Sequence, residues 1–464
     1  MKIFIILPTQ LFENIEYLDE MDAIYIIEDE FYFTYKKFHK QKLILHRASM
    51  KYYYDKLKEK YNNKQIKYIE YDKIDYNEIL LNEIYMYDPT DIPVIRKYKN
   101  AKKLIIYNTL SFLETREELE EYRNKNTNKK NYYHDRSFYK WQRKRLNILM
   151  NKDKKTPING KWSYDKENRN PYDKKYKEDK IRIYNNKYIE EAKEYVKIKF
   201  KNNFGIIGDD FYYPITHEDA ISHLETFIEY RLETFGKYQD GISKNVIFGS
   251  HSVLSPILNI GLITPEIIIR EVIKYYNINN NIITVESFIR QLIGWRSYVR
   301  FMYIYHGEDM LKMNKLNHKN KLTNSWYKGT TDIGIVNDMI LKVKKYAYLH
   351  HIERLMVMGN IGLLLQINPK ELYDWFMICF IDSYEWVMVP NVYGMSQYAL
   401  TDISMMTKPY FSSSNYIKKM SDYKKEDWFD KWNSLYWNLI KEHAGIFRKI
   451  YSLAYQVKIL ESKK

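Results

Sequence analysis

Two arginines, Arg296 and Arg300, stand four residues apart in ESFIRQLIGWRSYVRFMYIYHG (286–307). Phe288, Leu292, Trp295, Val299 and Met302 recur there at helical spacing, so a helix with one apolar stripe is expected, the arginines sharing its flank. Guanidinium groups beside buried aromatics suit a phosphate or a carboxylate at the edge of a core. The plainer alternative is a core helix whose arginines reach solvent. A second set lies in FGSHSVLSPILNIGLITP (248–265), where Ser252, Ser255 and Asn259 interrupt an apolar run. Hydroxyls and free backbone N–H groups at a helix start bind phosphate, or simply cap the helix. A third set, His350 and His351, opens LHHIERLMVMGNIGLLL, with Arg354 four and three residues on. Adjacent histidines cannot both face the same way, so at most one is expected to face a cavity. Neither HExxH spacing nor nearby thiolates are present, so a zinc site is not expected.

The wording of these stretches is more specific than their periodicity. IRQLIGWRSYVR resembles the IRQ-x-x-GWRE-x-x-R helix of the photolyase/cryptochrome flavoproteins, and more narrowly the bacterial (6-4) photolyases that carry an iron–sulfur cluster. YYHDRSFYKWQRKRLNILM (132–150), GKWSYDKENR (160–169), HS-x-LSP, HHIERLM, DSYEWVMVPNVYGMSQYA (382–399) and TKPYFSSSNYIKKMSDY (407–423) extend the resemblance, in order, over nearly the whole chain. It implies FAD held by Ser252, Leu254, Ser255, Asn259, Arg296, Arg354, Asp382, Met388 and Asn391. In that pattern Arg354 pairs with Asp382 beneath the flavin, and Met388 faces flavin N5. It also implies that His351, with His350 beside it, serves the lesion pocket as proton donor. Trp375, Tyr327 and Phe376 fall at the places of the family's electron-carrying aromatics, with Trp326 and Trp386 as substitutes. The implied activity is light-driven repair of UV-induced pyrimidine dimers in DNA, a carbon–carbon lyase reaction driven by an electron from reduced FAD. His351 favours the (6-4) photoproduct; the cyclobutane dimer, whose cleavage needs no such proton transfer, is the other substrate. A blue-light photoreceptor of the cryptochrome type, without repair, is the alternative. A basic DNA-binding protein that has lost FAD is a third, disfavoured by Arg296, Arg354 and Asp382, since burying those charges without a ligand or partner is costly.

The chain also departs from the family's pattern. Val253 stands where other branches carry arginine. The first loop reads LPTQL (Leu7 to Leu11) where the family has a sequence like LGDQL, which leaves a second, antenna chromophore open, lumazine-type or other. The four cluster cysteines are replaced by Ile335, Lys424, Asp427 and Asp430, none of which substitutes for thiolate, so no iron–sulfur cluster is expected.

The elements that must position these residues divide in two. IFIIL (3–7), AIYIIED (23–29), KYIEYD (67–72) and KLIIYN (103–108) are short apolar runs separated by helical patterns, which predicts a parallel sheet in an α/β domain. No glycine follows the first strand, so the dinucleotide fingerprint is missing and NAD is not expected. The expected organisation is an α/β antenna domain over 1–123, a connector over 124–215, and an all-α FAD-binding domain over 216–464. The connector is charged, yet its tryptophans predict that it packs on something. Thr216, with an acid three residues on, predicts a helix start. With 464 residues, 45% of them hydrophobic, two domains are the prior. Lys+Arg of 74 against Asp+Glu of 59 leaves +15, which points to an acidic partner such as DNA. The 47 tyrosines also fit an AT-rich coding sequence, which weakens that inference. The single cysteine, Cys379, excludes internal disulfides. No apolar run is long enough to span a membrane and the N-terminus reads as a strand. A soluble intracellular monomer, without a membrane partner, is therefore expected. The chain ends about 20 residues after the last helical match, so no signalling tail is expected.

Overall fold

The computed structural model describes residues 1–126, 137–179, 181–406 and 408–462. The start of the connector motif (132–136) and Thr407 lie outside them. Five parallel strands form the sheet: β1 (Lys2–Ile6), β2 (Ala23–Ile27), β3 (Gln65–Ile69), β4 (Glu83–Tyr87) and β5 (Lys103–Tyr107), in the order β3-β2-β1-β4-β5. β1 and β2 are buried on both faces apart from Lys2, as continuous apolar strands between helix layers should be. β4 has no counterpart among the expected strands, because Asn82 and Glu83 break the apolar run that would have marked it.

α1 (Lys40–Lys60) covers the sheet and is capped by His39, whose Nδ1 accepts the Gln41 N–H at 3.0 Å. α2 (Lys187–Lys199) packs beside α1 through Arg47, which pairs with Glu191 at 2.6 Å, Glu28 at 2.8 Å and Glu70 at 3.0 Å. The stretch read as connector therefore supplies one helix of the α/β layer. Its earlier part docks on the helical region: Tyr139 Oη and the Tyr164 N–H donate to the two oxygens of the fully buried Glu286, at 2.7 and 2.9 Å. Arg143, also buried, donates to the Trp162 carbonyl at 3.0 Å. The connector is thus fastened by a tyrosine hydroxyl and a backbone N–H to the buried Glu286 and by Glu191 to Arg47.

The remainder is helical. α3 (His217–Tyr230) starts at Thr216, whose Oγ1 accepts the Asp219 N–H at 3.0 Å, as its sequence predicts. The elements used below are α4 (Ser255–Asn259), α5 (Ile282–Ile289), α6 (Ser297–Met310), α7 (Gly334–Tyr346), α8 (Pro369–Cys379) and α9 (Glu385–Val389). Among the described residues, three seven-residue stretches are π-helical: Arg290–Arg296 between α5 and α6, Glu353–Gly359, and Pro390–Ser396 after α9. A π turn holds an extra residue, so it rotates the residues after it away from the 3.6-residue phase. Phe288, Leu292, Val299 and Met302 still reach the core, whereas Trp295, inside the π stretch, is only partly buried.

The two regions meet closely. The loop after β1 lies on the turn after α4: the Leu11 N–H donates to the Ile260 carbonyl at 2.9 Å, and His217 Nε2 donates to the Leu11 carbonyl at 2.8 Å. Gly261 sits there at φ +86°, and a Cβ on it would come within 2.9 Å of the Phe12 ring and 3.0 Å of the Leu11 nitrogen. No helix among the described residues is long and apolar enough to cross a membrane.

Candidate functional site

Five of the nominated flavin residues form one hydrogen-bonded chain. Arg296 donates through Nη1 to Asn259 Oδ1, and Asn259 Nδ2 donates to the Asp382 carbonyl at 2.9 Å. The Asp382 carboxylate accepts from Ser255 Oγ at 2.6 Å and pairs with Arg354, Nη1 to Oδ1 at 2.9 Å and Nη2 to Oδ2 at 3.1 Å. Arg354 is held in place by its Nε, which donates to the Leu349 carbonyl at 2.7 Å, and by the Phe380 ring, 4.1 Å from its guanidinium carbon. The three π stretches carry Arg296, Arg354 and Asn391, a placement that π turns often have at functional sites. Asn391 stands outside that chain, its Oδ1 accepting from Trp295 Nε1 at 3.0 Å and its Nδ2 donating to the Val387 carbonyl at 2.7 Å. Met388 is buried on α9, Leu254 is buried just before α4, and the Ser252 carbonyl accepts from His223 Nε2 at 2.9 Å. The expected hydroxyl-bearing helix start is only partly realised: α4 is five residues long, and the Ser255 hydroxyl is engaged by Asp382.

Arg296 is the unusual member. It lies in a cleft outside the carboxyl ends of β1, β4 and β5, lined by Thr9, Asp88, Thr90, Ser111, Phe112 and Trp386. The strand order reverses between β1 and β4, and ligands of open parallel sheets bind outside such a reversal. Its guanidinium carbon is 4.6 Å from the Phe112 ring and 4.8 Å from the Trp386 ring. Its hydrogen-bond acceptors are neutral, Asn259 Oδ1 and the Ser111 carbonyl at 3.4 Å, and its Nε is buried without a partner. Burial, opposed by the nearby Glu114 and Asp382 carboxylates and reinforced by the charge of Arg300, lowers its pKa to about 9. Arg300 contrasts with it: fully buried, it has Asp88 at 3.1 Å and Glu114 at 3.5 Å. A partly buried guanidinium with a buried, unpartnered Nε and neutral hydrogen-bond acceptors suits an anionic ligand, so the chain's own residues fit a phosphate-bearing cofactor at this end of the network.

The histidines depart from expectation. His350 precedes the helix that His351 opens, so helical spacing does not separate them, and both rings turn toward His251. His251 stacks on His350 with centroids 4.4 Å apart and planes at 11°, and meets His351 edge-on at 5.4 Å. His251 is held on a loop that Glu178 of the connector secures, accepting the N–H groups of Ile247, Phe248 and Gly249 at 2.8, 2.5 and 2.6 Å. Burial, and then neighbouring positive groups, push His251 and His350 well below the ordinary histidine range, so both rings are neutral near pH 7. Glu353, 3.5 Å from His350 Nε2, is neutralised by Lys342 at 2.6 Å, although burial raises its carboxyl pKa. His351 is nearly half exposed, with Nε2 3.5 Å from Asp240 Oδ1. Sequence reasoning missed His251 and His223; the histidine inside HS-x-LSP was the available signal for the first.

The aromatic set is rearranged as well. Trp375, fully buried on α8, contacts Trp326 with ring centroids 5.7 Å apart and donates its indole N–H to the Trp326 carbonyl at 3.1 Å. Inward, it meets Phe376 at 5.6 Å and Phe380 at 5.7 Å, and Phe380 carries the Arg354 guanidinium. Tyr327 instead turns its ring toward Phe204, at 6.1 Å. Adjacent residues on a helix point apart, so only one of Trp326 and Tyr327 can face Trp375.

Comparisons with known proteins agree with this architecture. Residues 4–212 match the family described as deoxyribodipyrimidine photo-lyase-related protein. A (6-4) photolyase of Agrobacterium fabrum (strain C58 / ATCC 33970) is 34% identical over 329 residues, covering 68% of this chain and 64% of that protein. The chain thus spans just under two thirds of that relative's length. A bacterial class III photolyase from Agrobacterium tumefaciens superposes with a TM-score of 0.56 over 90% of this chain and 86% of its own, at 14% identity. An archaeal photolyase from Sulfolobus tokodaii, solved with two FAD molecules, gives 0.54 over 100% of both chains at 13% identity. These structural likenesses speak for the fold, and the sequence matches carry the kinship. The sequence matches, together with the shared architecture of a parallel sheet joined to a helical body, place the chain in the photolyase/cryptochrome family.

Proposed function

We propose that the protein is a light-driven DNA photolyase that holds FAD on the Arg296–Asn259–Asp382–Arg354 network and acts on the (6-4) photoproduct. The observation that carries the reading is that network itself, a hydrogen-bonded chain that ends on a partly buried arginine whose hydrogen-bond acceptors are neutral. When bound and reduced, FAD would supply the photoexcited electron that opens the lesion. Arg296 would meet a cofactor phosphate, and the Arg354–Asp382 pair, fixed by Ser255, would orient the ring system. His351, exposed beside two neutral buried histidines, is the group of the three that can reach a flipped-out base and give it a proton. The net charge of +15 serves the DNA backbone, which predicts binding that weakens with salt. No iron–sulfur cluster belongs to this reading: Ile335 is a core residue, and Lys424 reaches the Lys418 carbonyl.

The test is restoration of an oligonucleotide carrying one (6-4) photoproduct, by purified protein with reduced flavin under blue light. Bound flavin without restoration of this lesion or of a cyclobutane dimer would favour a photoreceptor instead. Arg296→Ala is expected to weaken flavin retention by about 1.5–3 kcal/mol, the range for a charged hydrogen bond. An undiminished flavin-to-protein ratio would remove Arg296 from the site.

Photoreduction supplies a separate check. Trp375→Phe is expected to slow flavin photoreduction strongly, at about 1–3 kcal/mol of stability for a packed core substitution. Flavin content and repair by chemically pre-reduced protein should persist. Trp326→Phe should slow photoreduction as well, and Tyr327→Phe much less. Parental kinetics in Trp375→Phe would mean that the current runs elsewhere.

A further inference from the structure

We propose that His251, His350 and His351 form a site for one divalent transition-metal ion of the zinc class, and that filling it withdraws His351 from proton donation. The second half rests on the reading of His351 as the acid; the first does not. Each of the three rings offers a nitrogen within 4.8 Å of the other two. Two of the available nitrogens, His251 Nε2 and His350 Nδ1, are buried without a hydrogen-bond partner. An unpartnered buried polar atom is costly, and a metal ion would satisfy both at once.

The opposite edges of the rings are already occupied. His350 Nε2 lies 3.5 Å from Glu353 Oε1, and His351 Nε2 lies 3.5 Å from Asp240 Oδ1. His251 is hydrogen-bonded to the backbone of Gln239. A carboxylate or carbonyl on one ring nitrogen, with the other free, is how metal-binding histidines are oriented. Zn–N bonds of about 2.0–2.1 Å put tetrahedral ligand nitrogens about 3.4 Å apart. Closing the site takes more than a shift of the exposed His351: an imidazole ligates in its own plane, so the stacked His251 and His350 rings must also turn out of parallel to share one ion. That exposure also leaves the fourth position open to water. The nearby Lys342 is neutralised by Glu353 at 2.6 Å, while Arg231 adds positive charge that opposes a cation. Three imidazoles favour Zn2+, Co2+ or Ni2+ and not Mg2+ or Ca2+, which take oxygen ligands. With one nitrogen on the metal and the other facing Asp240, His351 has none left for a lesion.

The test uses tag-free, full-length, flavin-loaded protein. Titration with Zn2+, followed by calorimetry and by metal analysis after dialysis, should give one ion per chain, undisturbed by excess Mg2+. Co2+ should give the visible bands of four-coordinate cobalt. His251→Ala, and independently the exposed-site variant His351→Ala, should each weaken Zn2+ binding at least about tenfold. Circular dichroism and flavin content should stay parental. Zn2+ should also inhibit repair by the parent protein at the concentrations that fill the site. Absence of stoichiometric binding, or binding unchanged in both variants, overturns the site whatever the repair assay shows. Stoichiometric binding without inhibition overturns the link to His351 alone. A parent protein that repairs no (6-4) photoproduct fails the functional reading and leaves the metal measurement standing.

Discussion

His351→Ala should lower repair of a (6-4) photoproduct by about 10²–10⁴-fold, the usual worth of a general acid, while bound flavin stays at the parental level. Three features of the site make this the sharpest expectation. His351 is the exposed histidine of the cluster, so its removal creates no buried cavity and should leave the fold intact. His350 and His251 are buried and held neutral, so neither is placed to replace it. The Arg354–Asp382 pair is built from Leu349, Ser255 and Phe380 and does not depend on the His351 side chain. The readout is restored oligonucleotide per absorbed photon, with flavin absorbance as the control. Cyclobutane repair by the same variant should be near parental, since that cleavage needs no proton from the protein. Parental (6-4) repair in the variant would make His351 structural; a parent that repairs only cyclobutane dimers would show the lesion preference to be wrong.

The largest expected effect on stability comes from Arg300→Ala, about 3–5 kcal/mol, because the fully buried Glu114 carboxylate, 3.5 Å away, loses its ion-pair partner, while Asp88 keeps Arg116 at 2.7 Å. Arg300 is fully buried on α6 and donates to the Glu114 carbonyl at 2.7 Å and to Asp88 at 3.1 Å. Both partners sit on loops at the carboxyl ends of β4 and β5, so this arginine fastens the helical region to the sheet. Phe112, from the same loop as Glu114, is 4.4 Å from its guanidinium. Burial pushes the Asp88 carboxyl up, but the bonds from Arg116 and the charge of Arg300 outweigh it and leave its pKa below the usual value. A carboxylate depressed in the folded state stabilises above its unfolded pKa of about 3.9, and that stability is lost as pH falls through the folded value. Arg300→Ala should therefore lower the urea midpoint at neutral pH, with the difference from parent shrinking below about pH 4. A shift of less than about 1 kcal/mol at neutral pH, the median for an exposed pair, would mean that Arg300 is not the fastening charge.

Local patterns in the chain determined a good deal by themselves. Four apolar runs marked four of the five strands, and Thr216 with Asp219 marked a helix start that forms as expected. Both depend on residues within a few positions of one another. The wording of HHIERLM and DSYEWVM was enough to nominate the Arg354–Asp382 pair, although 28 residues separate its members. Tertiary structure alone decided the rest. Arg296 and Arg300 look alike in a helical pattern, yet the loop after β5 gives Arg300 the carboxylate of Glu114 and leaves Arg296 with neutral acceptors. The π stretch that ends at Arg296 changes the phase between the preceding helix and both arginines, and no count at 3.6 residues per turn could include it. The side chain facing Trp375 was settled by how the Trp326 segment lies on α8, which chose Trp326 over its neighbour. His251 reaches His350 across 99 positions because Glu178, from a third segment, holds its loop. Spacing rules test ligands on one element, and a cluster assembled from separate segments has no spacing to read, because it exists only once the core has packed.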